Sequence, residues 1–518
     1  MHHSISYRDR LLSDPYRPQY HFAAMDRINI SDPNGAFYAD GRYHLMYLYV
    51  TKRDERGDHC CWGHVSSSDL VHWRHHKDAI GPIDGDNGCY SGGAYLDDDG
   101  TAYITFWKFP SVNGHDHGGT AIAYAKPPYE DWTRIEPIAI DSLPGQWGIT
   151  ETAEDGRQRY VGNADPSNIW KMNGYYYMET GNKIVLEQYG MQPESDVRYC
   201  GGWTDLYKSK DLRHWEYVHR FMEHTNGVNR WTDQTEDHMC SSLFPLPDKA
   251  YGGTLTDHWL EMFISHNIGS QYFIGKLDEA AEVFIPEQHG RFTWQDRTCF
   301  APEAMLDADN RQIAWFVLHD DLCDYTDDFD WFGVYTMPRT LWFENNTLHM
   351  FPVEELTVLQ TNHQKWDEHI PKMLPVKNGR SCHIHAEFRL GCTENCGFTL
   401  LYDPQTGQGL HIYYDVKRQK LIFDGSCCGE YGIKRKTAHK TYQIVDIEEA
   451  PLALREDEAL ELDIWIDHSV VEVFANQRQA ISRRFYADDP ENAVQVLVIG
   501  HDAITYAEAW KMHPSNPY

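Results

Sequence analysis

The sequence predicts an all-β protein built as a five-bladed β-propeller followed by a β-sandwich. Three observations carry this. Helical periodicity is scarce across 518 residues. Short alternating or aromatic runs separated by turn residues dominate instead. A seven-residue pattern also occurs twice in equivalent surroundings, which is how repeat architectures announce themselves.

The runs are Tyr43–Val50, Ala102–Trp107, Tyr175–Glu179, Trp259–Ile264 and Ile313–Leu318. Between them stand turns such as Ala39-Asp40-Gly41, Asp97–Gly100, Met172-Asn173-Gly174 and Asp307–Asn310. The repeat is Ser67-Ser68-Asp69-Leu70-Val71-His72-Trp73, which returns as Ser209-Lys210-Asp211-Leu212-Arg213-His214-Trp215. Each copy follows an Asp-Pro step, Asp32-Pro33 or Asp165-Pro166, and a Gly-aromatic turn. The shared plan is a carboxylate, a strand, a turn, a second strand, then an SxDLxHW strand. Weaker units begin at Ser91-Gly92-Gly93-Ala94, near Cys240-Ser241-Ser242, and near Ala301-Pro302-Glu303. Five four-stranded units arranged radially expose only short sheet edges. The Asp-Pro steps then start innermost strands around a central funnel.

Beyond residue 356 the spacing becomes that of a sandwich. Strands are expected at Ala386–Leu390, Phe398–Tyr402, Leu410–Tyr414, Leu421–Phe423, Leu460–Ile466, Val470–Phe474 and Ala493–Val498. The expected division is a propeller over 1–361, a polar, proline-bearing linker over 362–377, and a sandwich over 378–518.

Composition narrows the function. The chain has 46 Lys plus Arg against 78 Asp plus Glu, a formal net charge of −32. That field repels phosphate backbones and anionic headgroups, so neither nucleic acid nor a membrane is an expected partner. Seventeen Trp and 32 Tyr fill sheet cores and also suit stacking on sugar rings. Twelve cysteines lack the paired CxxC spacing of a zinc site, so no metal is expected. They fit a reduced, cytoplasmic setting, and the first residues carry no apolar signal region. No glycine-rich phosphate loop opens a βαβ unit, so no organic cofactor is expected. The expected partner is a neutral oligosaccharide, and the chain is a monomer or homodimer.

Carboxylates at the inner ends of propeller strands face one funnel. Asp32 and Asp165 arrive there by the repeat, and Glu236 and Asp237 precede the fourth unit's inner strand. Convergent carboxylates suit glycoside hydrolysis, in which one attacks the anomeric carbon and another protonates the leaving oxygen. A metal-binding cluster with His238 competes, without EF-hand or HExxH spacing to support it. The histidines of His72-His75-His76 and His115-His117 read as solvated strand ends.

Ser31-Asp32-Pro33-Asn34-Gly35 resembles the NDPNG signature of glycoside hydrolase family 32, the invertases, inulinases and levanases. Trp62 through Trp73 resembles that family's WGHAxSxDLxHW strand, Tyr90-Ser91-Gly92-Gly93-Ala94 its FSGSA segment, and Ala164-Asp165-Pro166 its RDP. Phe300-Ala301-Pro302-Glu303, Met337-Pro338-Arg339 and Pro352–Leu356 are similar to its closing blade, and Asp467–Phe474 to its DxSVVEVF motif. The resemblance implies a retaining β-fructofuranosidase with Asp32 as nucleophile and Asp165 as transition-state stabiliser. It implies that Trp62, Tyr90 and Ser91 line the subsite holding the furanose; Asn34, Asp237 and His238 are further candidate substrate-binding residues.

The sequence departs from the family at three places. Where a Glu normally precedes the Cys of an ECP triplet, Met239 precedes Cys240. Strand alternation would give Glu236, His238 and Cys240 one facing, which favours Glu236 as acid/base, with Asp237 and then Glu303 as alternatives. Ala164 replaces the Arg of RDP, and Leu48 stands where a Gln is expected. Those losses point to altered substrate choice. Fructosyl transfer, hydrolysis of another furanoside, and a non-catalytic sugar-binding propeller are the competing readings.

Overall fold

The computed structural model describes residues 6–23, 29–54, 57–81, 88–108, 118–141, 148–152, 158–162, 164–181, 203–223, 236–266, 268–319, 331, 333–391, 393–429 and 445–515. One short helix, Tyr7–Ser13, is capped by Ser6, whose hydroxyl accepts from the Asp9 amide. Apart from a 3-10 turn at Glu354–Leu359, the named elements that follow are strands.

Five antiparallel meanders come first. Their inner strands are Asn29–Ala39, Ala94–Leu96, Ala164–Pro166, Met239–Pro247 and Cys299–Leu306, and each sheet builds outward in chain order from these. Hydrogen bonds tie each sheet to the next. Asn34 Oδ1 accepts from the Gly92 amide (3.1 Å), and Thr105 Oγ1 donates to the Ser167 carbonyl (2.8 Å). Asn168 Nδ2 donates to the Leu243 carbonyl (2.9 Å), and Asn310 Nδ2 to that of Gly253 (3.0 Å). Glu303 Oε1 accepts from the Ala36 amide (2.7 Å), joining the last sheet to the first. Backbones crowd here both within and between sheets: a Cβ at Gly92 would lie 2.0 Å from the Thr105 carbonyl oxygen of its own sheet, and one at Gly93 2.4 Å from the Asn168 nitrogen of the next. Only glycine fits at either place.

The duplicated SxDLxHW segment folds identically in both copies, but as a turn rather than the expected strand. Ser67 ends the third strand and Trp73 begins the fourth, as do Ser209 and Trp215. Asp69 Oδ1 accepts the Val71 and His72 amides while its Oδ2 meets His72 Nδ1 at 2.8 Å. Asp211 repeats this with Arg213 and His214. Leu70 (φ 58°) and Leu212 (φ 61°) take the same left-handed conformation. An Asp that binds the amides two and three residues on is the physical reason for the motif.

His76 corrects another expectation. Its side chain is 5% exposed and bonds Ser66 Oγ (2.7 Å) and Glu130 (2.8 Å), whereas His72 and His75 are exposed. His115 and His117 lie outside the described residues.

Two six-stranded sheets follow, one containing Ser381–Phe388 and Leu460–Asp467, the other Asn395–Tyr402 and Leu410–Asp415. Ile384, Ala386 and Phe388 on one and Phe398, Leu400 and Ile412 on the other share a buried apolar core. Residues 362–377 are not a free linker. Gln360–Trp366 pairs with Ile504–Met512 in the first sheet, and Met373–Leu374 pairs with Gln495–Ile499 in the second. The polar residues there face solvent on edge strands, which is why the segment reads as a linker.

The N-terminal segment also departs from the expected division, because it binds the C-terminal sheets. The amides of Gln19, Tyr20 and His21 all donate to the Asp467 carboxylate at 2.7–2.9 Å. His21 then bridges Asp467 (2.9 Å) and Glu472 (3.0 Å), and Glu472 also holds Arg339 of the fifth meander. A second buried clasp joins Arg483 to Asp296 (2.9 Å) and Glu448 (2.7 Å).

Candidate active site

Four of the five inner strands share one irregularity. Register slips between Ile30 and Pro33, Ala164 and Pro166, Met239 and Ser242, and Phe300 and Pro302. At these bulges Asp165 (φ 42°), Cys240 (φ 53°) and Ala301 (φ 37°) sit in the left-handed region. A bulge turns one side chain out of the alternation of its strand. Non-glycine residues hold such a backbone only where the surrounding structure enforces it.

The bulges bring side chains together. Asp32 is 8% exposed and Asp165 6%. The Cys240 thiol lies between them, 3.7 Å from Asp32 Oδ2 and 3.4 Å from Asp165 Oδ2. The two carboxylates therefore lie no farther apart than those contacts laid end to end. Burial pushes the Cys240 thiol well up, and the charges of Asp165 and Asp32 push it further, so it stays a neutral donor. Asp32 also accepts hydroxyl bonds from Ser31 (2.9 Å) and, very closely, from Ser91. Asn34 donates its side-chain amide to the Asp32 carbonyl at 2.9 Å. One carboxylate braced by hydroxyls, with a second beside it across the Cys240 thiol, suits stabilisation of a sugar cation.

The aromatic wall differs from expectation. Trp62 is fully buried and donates its indole N–H to the Tyr90 carbonyl at 3.2 Å. It supports Tyr90, which is partly buried and packs on Trp107 at 5.5 Å.

The residues ahead of Cys240 depart furthest from expectation. Residues 236–238 precede the strand, which begins at Met239, so strand alternation does not govern them. Glu236 accepts from Arg291 Nη2 (2.9 and 3.1 Å), Gln271 (2.8 Å) and Ser265 (3.1 Å). His238 bonds Glu261 at 2.8 Å and stacks on Phe263, both buried. Asp237 accepts the amide and Nδ1 of His266, at 2.8 and 2.6 Å. Glu303 is buried and its carboxyl is pushed well up by desolvation, but its bond to Ala36 places it four residues past Asp32 along the first inner strand. Among the described residues no group of three or more His, Cys, Asp or Glu is arranged to hold a metal, and no helix is long and apolar enough to cross a membrane.

Residues 21–352 match the model of the glycosyl hydrolases family 32 N-terminal domain, and residues 353–511 match that of its C-terminal domain. The chain belongs to glycosyl hydrolase family 32. It is a glycosidase. Sucrose-6-phosphate hydrolase of Klebsiella pneumoniae is 25% identical over 522 residues, covering 97% of this chain and 95% of that one. Levanase of Bacillus subtilis (strain 168) is 26% identical over 498 residues, covering 90% of this chain and 66% of the levanase. The crystal structure of fructan 1-exohydrolase IIa from Cichorium intybus superposes with a TM-score of 0.76 at 20% identity, covering 97% of this chain and 98% of that one.

In this family 32 enzyme, Met239 is buried at 1% exposure where the family pattern has its acid. A thioether carries no proton to give. Sequence reading missed Arg291, Gln271, Ser265 and His266. Arg291 and Gln271 carry no local signal, because strands distant in sequence bring them to Glu236. The Ser265-His266 pair at the end of the Trp259–Ile264 run was a readable one.

Proposed function

We propose that this glycosidase releases terminal β-fructofuranosyl units from sucrose-like or fructan oligosaccharides with retention of configuration. Asp32 is the nucleophile, and Asp165 stabilises the furanosyl cation through its hydroxyls. The observation that carries this reading is the convergence of Asp32 and Asp165 on one buried thiol at equivalent strand bulges. The substrate class is supported by relatives named for sucrose-6-phosphate, levan and raffinose cleavage, and by a structural neighbour solved with 1-kestose. Asn34, Ser91 and Tyr90 position the fructosyl ring, with Trp62 behind them.

The scaffold is read as a five-bladed β-propeller carrying a C-terminal β-sandwich. The cycle of sheet-to-sheet bonds that ends at Glu303 and Ala36 supports the five blades. The test is product analysis on sucrose, 1-kestose, a levan-type oligosaccharide and an arabinofuranoside. Release of fructose, with the first-formed product in the β configuration, is expected. Cleavage of the arabinofuranoside alone would move the assignment to another furanose.

A further inference from the structure

Cleavage of an alkyl glycoside needs a proton for the leaving oxygen, and the residues ahead of Cys240 leave few sources. Met239 has none. Glu236 is held as a carboxylate by Arg291 and by donors from Gln271 and Ser265. Glu303 is bonded to the Ala36 amide, four residues past Asp32 on the first inner strand. Asp237 is fully buried, with one oxygen on the His266 amide and the other on the His266 ring.

That last pair is a built unit. The Asp237 side chain is 0% exposed, while the His266 side chain it holds is 25% exposed. An ionised carboxylate only accepts, so the 2.6 Å bond fixes the proton on Nδ1 and leaves Nε2 as the working nitrogen. The backbone bond from the same residue fixes the orientation of the ring. A buried carboxylate behind a partly exposed imidazole is the arrangement by which Asp–His pairs orient a proton-transferring ring and stabilise its cation.

The location suits the leaving-group side. Ile264 pairs with Met239 across the fourth sheet, so His266 stands two residues beyond it, at the same end as Cys240. Its ring meets Phe300 edge-on at 5.8 Å, and Phe300 immediately precedes Ala301, the bulge residue of the fifth sheet. His266 therefore lies where the fourth sheet meets Phe300 of the fifth, at the end of the fourth sheet whose Cys240 touches both Asp32 and Asp165.

We infer that His266, oriented by Asp237, is the acid/base of this enzyme and replaces the carboxylic acid that Met239 displaced. The inference rests on the fructofuranosidase reading above. In the first step Asp32 attacks the anomeric carbon, the bond to the leaving oxygen breaks, and that oxygen takes the Nε2 proton of the His266 imidazolium. In the second, neutral His266 accepts a proton from water as the water oxygen bonds the anomeric carbon and the ester bond to Asp32 breaks. The imidazolium is restored, and Asp237 stays ionised throughout. Among the described residues, the charged and titratable groups near the ring are Asp237, Arg297 (whose Nη1 bonds the His266 carbonyl at 3.3 Å), the Glu236–Arg291 pair across Ser265, and His319 on Phe300.

The test compares sucrose with p-nitrophenyl β-fructofuranoside, whose leaving group needs no proton, in wild type, His266→Gln and Asp237→Asn. His266→Gln is expected to lower kcat/KM on sucrose by about 100-fold or more and on the aryl substrate by less than about tenfold. The alkaline limb of the sucrose pH profile should vanish in that variant. Azide, which needs no base, should restore aryl turnover and yield fructosyl azide. Asp237→Asn should move the alkaline limb to lower pH. Unchanged melting temperatures would exclude a folding defect. Equal losses on both substrates, or an alkaline limb that persists in His266→Gln, would overturn the inference. A wild-type enzyme silent on both substrates would instead sink the fructofuranosidase reading, and this assignment with it.

Discussion

Cys240 places its thiol 3.4 Å from the Asp165 carboxylate, and both residues hold a left-handed backbone at the same bulge of adjacent meanders. The thiol also reaches Asp32, so a single neutral donor spans the two acids. Cys240→Ala removes that donor from both. A hydrogen bond to a charged group contributes about 1.5–3 kcal/mol, so kcat on sucrose should fall about ten- to hundredfold. Cys240→Ser should retain most of it. An alanine variant as fast as wild type would show that the thiol only fills space.

Asp32→Asn cannot form a glycosyl ester and should lose at least about 10⁴-fold in turnover. Its fold should persist, because the isosteric amide accepts one serine hydroxyl through its oxygen and donates its NH2 to the oxygen of the other. Circular dichroism and fructose release from sucrose, measured together, check both halves. Residual activity above that limit would remove Asp32 from the nucleophile role.

Stability should fall in acid through the first meander. His44 Nδ1 and His64 Nε2 lie 2.9 Å apart, and His64 stacks on His76 at 4.4 Å. Burial, with a smaller contribution from neighbouring charges, lowers His44 to about 3 and His64 to about 2. The unfolded chain takes up these protons near 6.5, whereas the folded chain resists them. Stability is therefore complete above pH 6.5 and declines as pH falls toward 3. Melting temperatures between pH 7 and 4 should drop, and His64→Leu should flatten the slope.

The interdomain clasp has the opposite sign. Burial opposes charge on His21, but bonds to Asp467 and Glu472 prevail and raise it to about 9. Its contribution is complete below pH 6.5 and is lost as pH rises through 9. His21→Ala leaves two buried carboxylates short of a partner and should cost roughly 3–5 kcal/mol at neutral pH. Denaturant titrations at pH 7 and 9.5 should show the wild type approaching the variant at the higher pH.

Much of the architecture was legible in the chain. The SxDLxHW duplication marked two equivalent turns because Asp69 and Asp211 each bind amides two and three residues ahead. That is local chemistry, which sequence carries directly. The paired Asp-Pro steps at Asp32 and Asp165 likewise fell at equivalent strand starts. The segment 362–377 was misread because edge strands bear polar residues, and only pairing with distant strands makes them sheet.

The identities of the converging carboxylates, their repeat positions and the all-β class thus belong to the sequence by itself, since turns and strand alternation are set within a few residues. Which groups work together belongs to the tertiary structure. Alternation aligned Glu236 with Cys240, but the chain enters its strand only at Met239, and Arg291, 55 residues on, takes Glu236 for itself. Trp62 was read as a wall, and burial turned it into a support for Tyr90. His266 gained its partner because Asp237 meets it across a sheet 29 residues later. Charge pairing and burial depend on what the closed fold sets side by side, and no local pattern encodes that.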